Sequence, residues 1–391
     1  MRARARRARV ARPLLVAGAV AALALHAGAQ RAPARPRAAA TRVDTTFAGL
    51  VARLSEPGGY FDTDNLISNE SSYLHAMGRL RTLRASAPAG VYVGVGPDQN
   101  FSYIAAVRPR LAFVVDIRRD NLLEHLLFKS LFALARTRVE YLALLTGRAA
   151  PASAEAWRGR TVEEIVAYVD GARPDARAAA AARAAVLARV RTFGVPLSDA
   201  DLATIARFHS EFIAAGLDLR FTSHGRSPRP YYPTLRRLVL ERDLAGRPAS
   251  YLASEDDFRF LKAMQARDAV VPVVGDLGGG HALAELARLL EERGERVAAI
   301  YTSNVEFYLL RQGSFDRFAE SVRRLPRAPG ALIVRSYFGF GGAPAHPQAV
   351  AGYASVQTVT RVDDFLAEQA RGALETYEDV VTRRALDPRT K

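Results

Sequence analysis

Two glycines, Gly94 and Gly96, lie at the end of the apolar run VYVGV, and an acid, Asp116, closes the next apolar run, LAFVVD, about 20 residues later. Glycines at the carboxyl end of a strand let backbone approach a ligand closely, and the start of a following helix points free N–H groups at it. An acid at the end of the neighbouring strand can accept hydrogen bonds from ribose hydroxyls. The plainer reading of Asp116 is a surface acid that opens the turn Arg118-Arg119-Asp120-Asn121 and caps the next helix. Asp98 stands inside the loop, where a carboxylate would repel phosphates, so a cofactor without phosphates is expected. The expected cofactor-binding set is Gly94, Gly96, Asp98 and Asp116.

Other polar clusters fall at places where an α/β sheet binds ligands. YTSNVEFYL puts Ser303, Asn304 and Glu306 at the carboxyl end of an apolar run. The spacing of Ser303 and Glu306 equally fits a capping box for the next helix. Asp276 opens a second glycine loop, Asp276-Leu277-Gly278-Gly279-Gly280-His281. Asn65, Asn69 and Glu70 precede the first strand and can hold a substrate amine, although Asn69 also suits the cap of a helix over 71–83. In FTSHGRSPRPYYPTLRR, Arg226 and Arg229 can grip an anionic substrate, or the segment is a packed loop between subdomains. Among the histidines, His224 is the candidate acid/base.

Several chemistries are excluded. The seven histidines form no H-x-H or H-E-x-x-H pair and there is no cysteine, so a transition-metal site lacks its usual ligands. No G-x-S-x-G elbow marks an α/β-hydrolase, and no glycine run leads into Lys-Ser or Lys-Thr as a P-loop would.

The elements that must carry these residues are short apolar runs at 91–95, 111–116, 269–276, 296–303 and 331–338, separated by helical stretches. Runs with little polar alternation suit strands covered on both faces. The alternation predicts an α/β, doubly wound, Rossmann-like and mostly parallel sheet, with its core at 91–119 and 261–391. Residues 46–90 read as a helical approach to the first strand. Residues 120–260 read as a helical insertion or cap, in which the run DARAAAAARAAVLARVRTF is expected to be a solvated connecting helix.

The 391 residues are 49% hydrophobic and 24% charged, the balance of a globular chain. Of the net charge of +15, nine arginines fall within residues 1–40, which hold no acid, so the remainder carries +6. No basic stripe with interleaved aromatics follows, and a nucleic-acid partner is not expected. Residues 1–29 combine a basic start, the apolar LLVAGAVAALALHAG and a small-residue Ala27-Gly28-Ala29, the pattern of a signal peptide. Residues 30–45 read as a disordered linker. The protein is then exported or periplasmic if the leader is cleaved. The alternatives are a membrane-anchored or a cytoplasmic protein, and no membrane association beyond the leader is expected.

With these residues assembled, the chain resembles class I S-adenosylmethionine-dependent methyltransferases. Their first strand ends in acid-x-Gly-x-Gly-x-Gly, their second in an acid that binds ribose, and their fourth carries a polar residue near the methyl donor. The matching residues are Gly94, Gly96, Asp116 and Asp276, while Tyr92 replaces the leading acid and Asp98 the third glycine. The segments FDTDNLISNE, GVGPDQNFSY, FTSHGRSPRPYYPTL, VVGDLGG and YTSNVEFYL also resemble an uncharacterised bacterial family with this methyltransferase-type fold, which implies no reaction. The resemblance implies S-adenosylmethionine as cofactor and a small-molecule acceptor. The candidate catalytic residues are Asp276, Ser303, Asn304, Glu306 and His224, and the candidate substrate-binding residues Asn69, Glu70, Arg226 and Arg229. The other expectation is an exported, non-catalytic protein that binds a small ligand in a reused pocket.

Overall fold

The computed structural model describes residues 45–63, 66–86, 89–224, 227, 229–339 and 345–389. The expected leader at 1–29 and nearly all of the expected linker at 30–45 lie outside the described residues, as do Asn65 and Arg226.

Six strands form one sheet among the described residues: β1 (Val91–Gly94), β2 (Leu111–Asp116), β3 (Val270–Val274), β4 (Val297–Ser303), β5 (Arg327–Tyr337) and β6 (Val356–Arg361). Their order is β3-β2-β1-β4-β5-β6. The pairings from β3 to β5 are parallel, and β6 is antiparallel to β5. The fold is thus α/β with a mostly parallel sheet. Every residue of β1 and β3 is buried, as both-faced coverage requires. Pro272 sits within β3, an edge strand, where its missing N–H breaks no essential ladder bond. From β1 the chain goes to β2 on one side, and β4 lies on the other. The strand order therefore reverses between β1 and β4, which opens a crevice at their carboxyl ends.

The five apolar runs all become strands, while β6 comes from VQTVTR, whose polar residues hide it from a search for apolar runs. Gln357, Thr358 and Thr360 are nonetheless buried there. Among the described residues, seven α-helices lie between β2 and β3, including Arg119–Leu134, Ala176–Val190 and Glu255–Ala266. The alanine-rich helix is not a solvated connector along its whole surface. Ala179, Ala182, Val186 and Val190 are buried in a stripe at helical spacing, and the helix packs against Arg119–Leu134. Small side chains let the two backbones come close.

Before the sheet, the helix Phe47–Leu54 starts at Thr46, whose side chain accepts from the Gly49 amide at 3.1 Å. The segment after it runs along the open edge of β3. Ser55 Oγ accepts from the Val274 amide at 3.1 Å, and the Glu56 amide donates to the Val274 carbonyl at 3.0 Å. The Gly59 amide then donates to the Ile117 carbonyl at 2.8 Å, so residues 55–63 cross the carboxyl ends of β3 and β2 as a strap. The helix expected over 71–83 is a 3₁₀ turn, Tyr73–Ala76, running into an α-helix, Met77–Ser86. Its N-cap is Ser72, without a side-chain cap bond, so the expected Asn69 cap does not form. Among the described residues no helix is long and apolar enough to cross a membrane.

Candidate functional site

One cleft lies at the reversal point of the sheet. Its walls include Gly96, Asp116, Asp276, Ser303, Asn304, Asn69 and Glu70 from the expected set, joined by Tyr60, Phe61, Gln99, Ile117, Arg118, Leu277 and Tyr308. The remaining expected residues are elsewhere. Gly94, Asp98 and Glu306 do not line the cleft, His224 and Arg229 are exposed outside it, and Arg226 is not among the described residues.

The glycine loop is held from behind. Asn100, in the helix Gln99–Val107, donates from Nδ2 to the carbonyls of Val95, Gly96 and Pro97 at 2.9, 3.1 and 2.8 Å. Tyr92 donates to Asn100 Oδ1 at 2.7 Å and fixes which way the amide faces. Gly94 is therefore a packing glycine: a Cβ there would lie 1.9 Å from Asn100 Oδ1. Gly96 has φ +83°, a conformation that side-chain-bearing residues rarely adopt. Tyr92, where the methyltransferase pattern has an acid, belongs to this internal clamp. His125 donates from Nε2 to the Gly96 carbonyl at 2.9 Å. Burial holds its pKa down at about 4, partly offset by that carbonyl, so it is neutral at pH 7.

Asp98 faces the interior and not a ligand. Tyr251 donates to its Oδ2 at 3.0 Å, and burial pushes its pKa up to about 6 against that hydrogen bond. Asp116 does line the cleft, but Arg118 holds both of its oxygens. Arg118 donates to Oδ1 from its backbone N at 2.9 Å and from Nε at 3.1 Å, and to Oδ2 from Nη2 at 3.1 Å. Both side chains are buried, so this is an ion pair set into the cleft wall. Arg118 is a site residue that the sequence reading passed over, although it stands two positions after the acid.

Asp276 follows β3, not the fourth strand, because the edge strand beside β2 is third in the chain; β4 ends in Ser303. The Asp276 carboxylate accepts from the Gly278 amide at 2.8 Å, and its own amide donates to Glu56 Oε1 at 3.0 Å. Ser303 has φ +54°, a left-handed conformation unusual for a residue with a side chain. The expected Ser303–Glu306 capping box does not form. Asn304 is the N-cap of the helix Val305–Arg311, and Glu306 turns inward, fully buried, to accept from Arg335 Nε at 2.8 Å and Thr302 Oγ1 at 2.8 Å.

Glu70 lies at the β4 end of the cleft. Its carboxylate accepts from Tyr301 at 2.8 Å, from Gln357 Nε2 at 2.6 Å and from Ser303 Oγ. Ser336 donates to Gln357 Oε1 at 2.9 Å, which orients the Gln357 amide with its N–H toward Glu70. Tyr301 in turn accepts from Gln99 Nε2 at 3.2 Å. Burial pushes the Glu70 carboxyl above the usual range, and the hydrogen bonds from Ser303, Tyr301 and Gln357 oppose it. These partners come from β4, β5 and β6, so nothing local in the sequence announces them. The cleft thus sets the Asp116–Arg118 ion pair and Asp276 beside Ile117 and Leu277 at the ends of β2 and β3, and neutral donors around one buried carboxyl at the end of β4. No group of three or more His, Asp or Glu among the described residues can hold a metal ion.

No curated protein matches the chain. A family match over residues 66–192 and 219–389 takes in every lining residue of the cleft except Tyr60 and Phe61 of the strap. On that match the chain belongs to the family described as Domain of unknown function (DUF7790).

Proposed function

We propose that the protein binds S-adenosylmethionine in this cleft and transfers its methyl group to a small acceptor. The observation that carries the reading is the convergence of Gly96, Asp116 and Asp276, from the ends of three adjacent strands, on one cleft at the sheet's reversal point. The strand order β3-β2-β1-β4-β5 followed by an antiparallel β6 supports a methyltransferase-type sheet.

The residues fit the cofactor at its base end. Ile117 and Leu277 offer apolar surface to a purine, and the Asp276 carboxylate keeps acceptor capacity for an exocyclic amine beyond its bond to Gly278. At the ribose end Asp116 retains one lone-pair site of about four after three bonds from Arg118, enough for one hydroxyl. The bound cofactor supplies an electrophilic methyl group. Glu70, Ser303 and Asn304 orient the acceptor, because methyl transfer needs placement and a proton acceptor more than a covalent nucleophile. Tyr60 and Phe61 on the strap limit water access to that end.

Calorimetric titration of the full chain with S-adenosylmethionine and S-adenosylhomocysteine tests this. Binding should weaken at least about tenfold in Asp276→Asn, in line with the loss of one charge-assisted hydrogen bond. Absence of heat at millimolar ligand would overturn it. A second reading, a non-catalytic protein binding another small ligand, is favoured by the Arg118 pair, which already occupies most of Asp116. Under that reading, Asp116→Asn leaves ligand binding intact.

A further inference from the structure

We infer that the Glu70 end of the cleft is a recognition site for an ammonium nitrogen. This deepens the proposed function and rests on it for the use of the cleft, though not for the identity of the cofactor.

The argument begins with an imbalance of charge. Glu70 is 1% exposed, and each of its partners, Tyr301, Ser303 and Gln357, is neutral. Among the described residues no Lys, Arg or His forms an ion pair with it, whereas Asp116 and Glu306, the other buried acids nearby, have Arg118 and Arg335. A buried carboxylate without a counter-ion is costly, and a ligand that brings the missing charge relieves that cost. The second observation is an acceptor left over. Gln99 is 6% exposed and lines the cleft, its Nε2 is committed to Tyr301, and its Oε1 is buried without a partner among the described residues. Tyr301 already donates to Glu70, so the Gln99 amide has to present N–H to it and cannot turn round. The third is the aromatic wall: Phe61 and Tyr308 meet edge to face at 5.0 Å and both line the cleft. A carboxylate, an orphan carbonyl and aromatic rings suit a group that is cationic and rich in N–H donors. A carboxylate or phosphate would meet repulsion there. The amides of Asn69 and Asn304 stand beside this end and complete a polar rim.

The same ammonium chemistry has two sources, the amino-acid part of the cofactor or a separate amine ligand. Two probe pairs distinguish them in calorimetry on the full chain: benzylamine against benzyl alcohol, and S-adenosylhomocysteine against 5′-deoxy-5′-methylthioadenosine. In at least one pair the charged member should bind about tenfold or more tightly, and Glu70→Gln should remove that preference without weakening the neutral member. Discrimination in the benzyl pair assigns the site to a separate amine, and discrimination in the adenosyl pair assigns it to the cofactor. If wild type discriminates in neither pair, or Glu70→Gln keeps the preference, the inference is overturned. Methylthioadenosine binding with no discrimination in either pair would sink this inference alone. Benzylamine discrimination without binding of either adenosyl ligand would sink the cofactor reading alone.

Wild-type protein provides a check that needs no variant. The titratable groups around Glu70 are Tyr92 from β1, Tyr103 from the helix Gln99–Val107, Tyr301 from β4 and Tyr377, all held above the ordinary tyrosine range by burial. Asp116, Arg118 and Asp276 line the same cleft. Affinity for the ammonium probe should fall as pH is lowered through the raised pKa of Glu70, because protonated Glu70 no longer attracts it, while the neutral probe's affinity stays flat. Parallel pH profiles for the two members overturn the inference.

Discussion

Asp98 replaces a glycine of the expected fingerprint, and its environment gives that replacement a measurable signature. Its carboxyl rises from the ordinary 3.8 to about 6 because it is buried, so the folded chain holds more protons than the unfolded one between those values. Stability from this group therefore falls as pH rises through that window, by about 3 kcal/mol, and then levels off. His125 acts in the opposite sense: its folded pKa is lowered to about 4, so its contribution is lost as pH falls below the ordinary 6.5. The two slopes offset each other in the wild type, and a variant is needed to separate them. Asp98→Asn keeps an acceptor for Tyr251 and cannot ionise. It should match wild type at pH 4 and exceed it by about 1–3 kcal/mol at pH 8 in urea unfolding; an equal gain at both pH values would sink the account. Gly94→Ala should cost about 1–3 kcal/mol, because its methyl collides with the Asn100 clamp, and a neutral result would mean that the clamp yields. The residue types of the loop were legible in the sequence, but their direction was not. Tyr92 and Asp98 look like losses from a ligand site until Asn100 and Tyr251 are seen to be their partners.

The helix Val305–Arg311 shows why element ends read ambiguously. Ser303 and Glu306 have the spacing of a capping box, yet Glu306 is drawn inward because Arg335, on the neighbouring strand β5, is fully buried and needs an anion. Arg335 stacks over Phe365 at 4.8 Å, and its Nη1 and Nη2 lack hydrogen-bond partners among the described residues, so it depends heavily on that one carboxylate. Glu306→Gln should destabilise the fold by about 3–5 kcal/mol in urea unfolding, since it leaves a buried charge uncompensated. The double variant Glu306→Gln with Arg335→Met should recover most of that loss; if it is no better than the single variant, the pair is not the cause. The same logic explains the missed strand. β6 buries Gln357 because Glu70 and Ser336 bond to it, and a strand chosen for such bonds lacks the apolar run by which β1 to β5 were recognised. The alanine-rich helix misled for a related reason, since its buried stripe relies on small size and leaves a weak hydrophobic signal.

Across the whole molecule, the cleft is closed by parts of the chain that meet only in the folded state. Ser55 and Glu56 reach residues 219 and 220 positions away, at Val274 and Asp276, and the same strap continues through Gly59 on Ile117 to Asp62, whose carbonyl accepts from the His224 amide at 2.8 Å. The five apolar strands could be anticipated from the sequence because each announces itself locally. The strap could not, because FDTDN reads only as turn chemistry and its partners are set by tertiary contact. This construction ties ligand binding to the order of the N-terminal segment. A ligand that contacts Tyr60 and Phe61 as well as Asp116 and Asp276 bridges the strap to the sheet, and at a hundred times its dissociation constant it stabilises the folded state by about 2.7 kcal/mol. Amide exchange should then slow most at Glu56, Gly59 and Asp276, whose N–H groups make the strap's bonds, relative to amides in the helix Ala176–Val190 remote from the cleft. Hydrogen-exchange mass spectrometry with saturating S-adenosylhomocysteine measures this. If the ligand binds and exchange slows by the same factor in the strap and in that helix, the strap takes no part in holding it, and the cleft is completed by the strand ends alone.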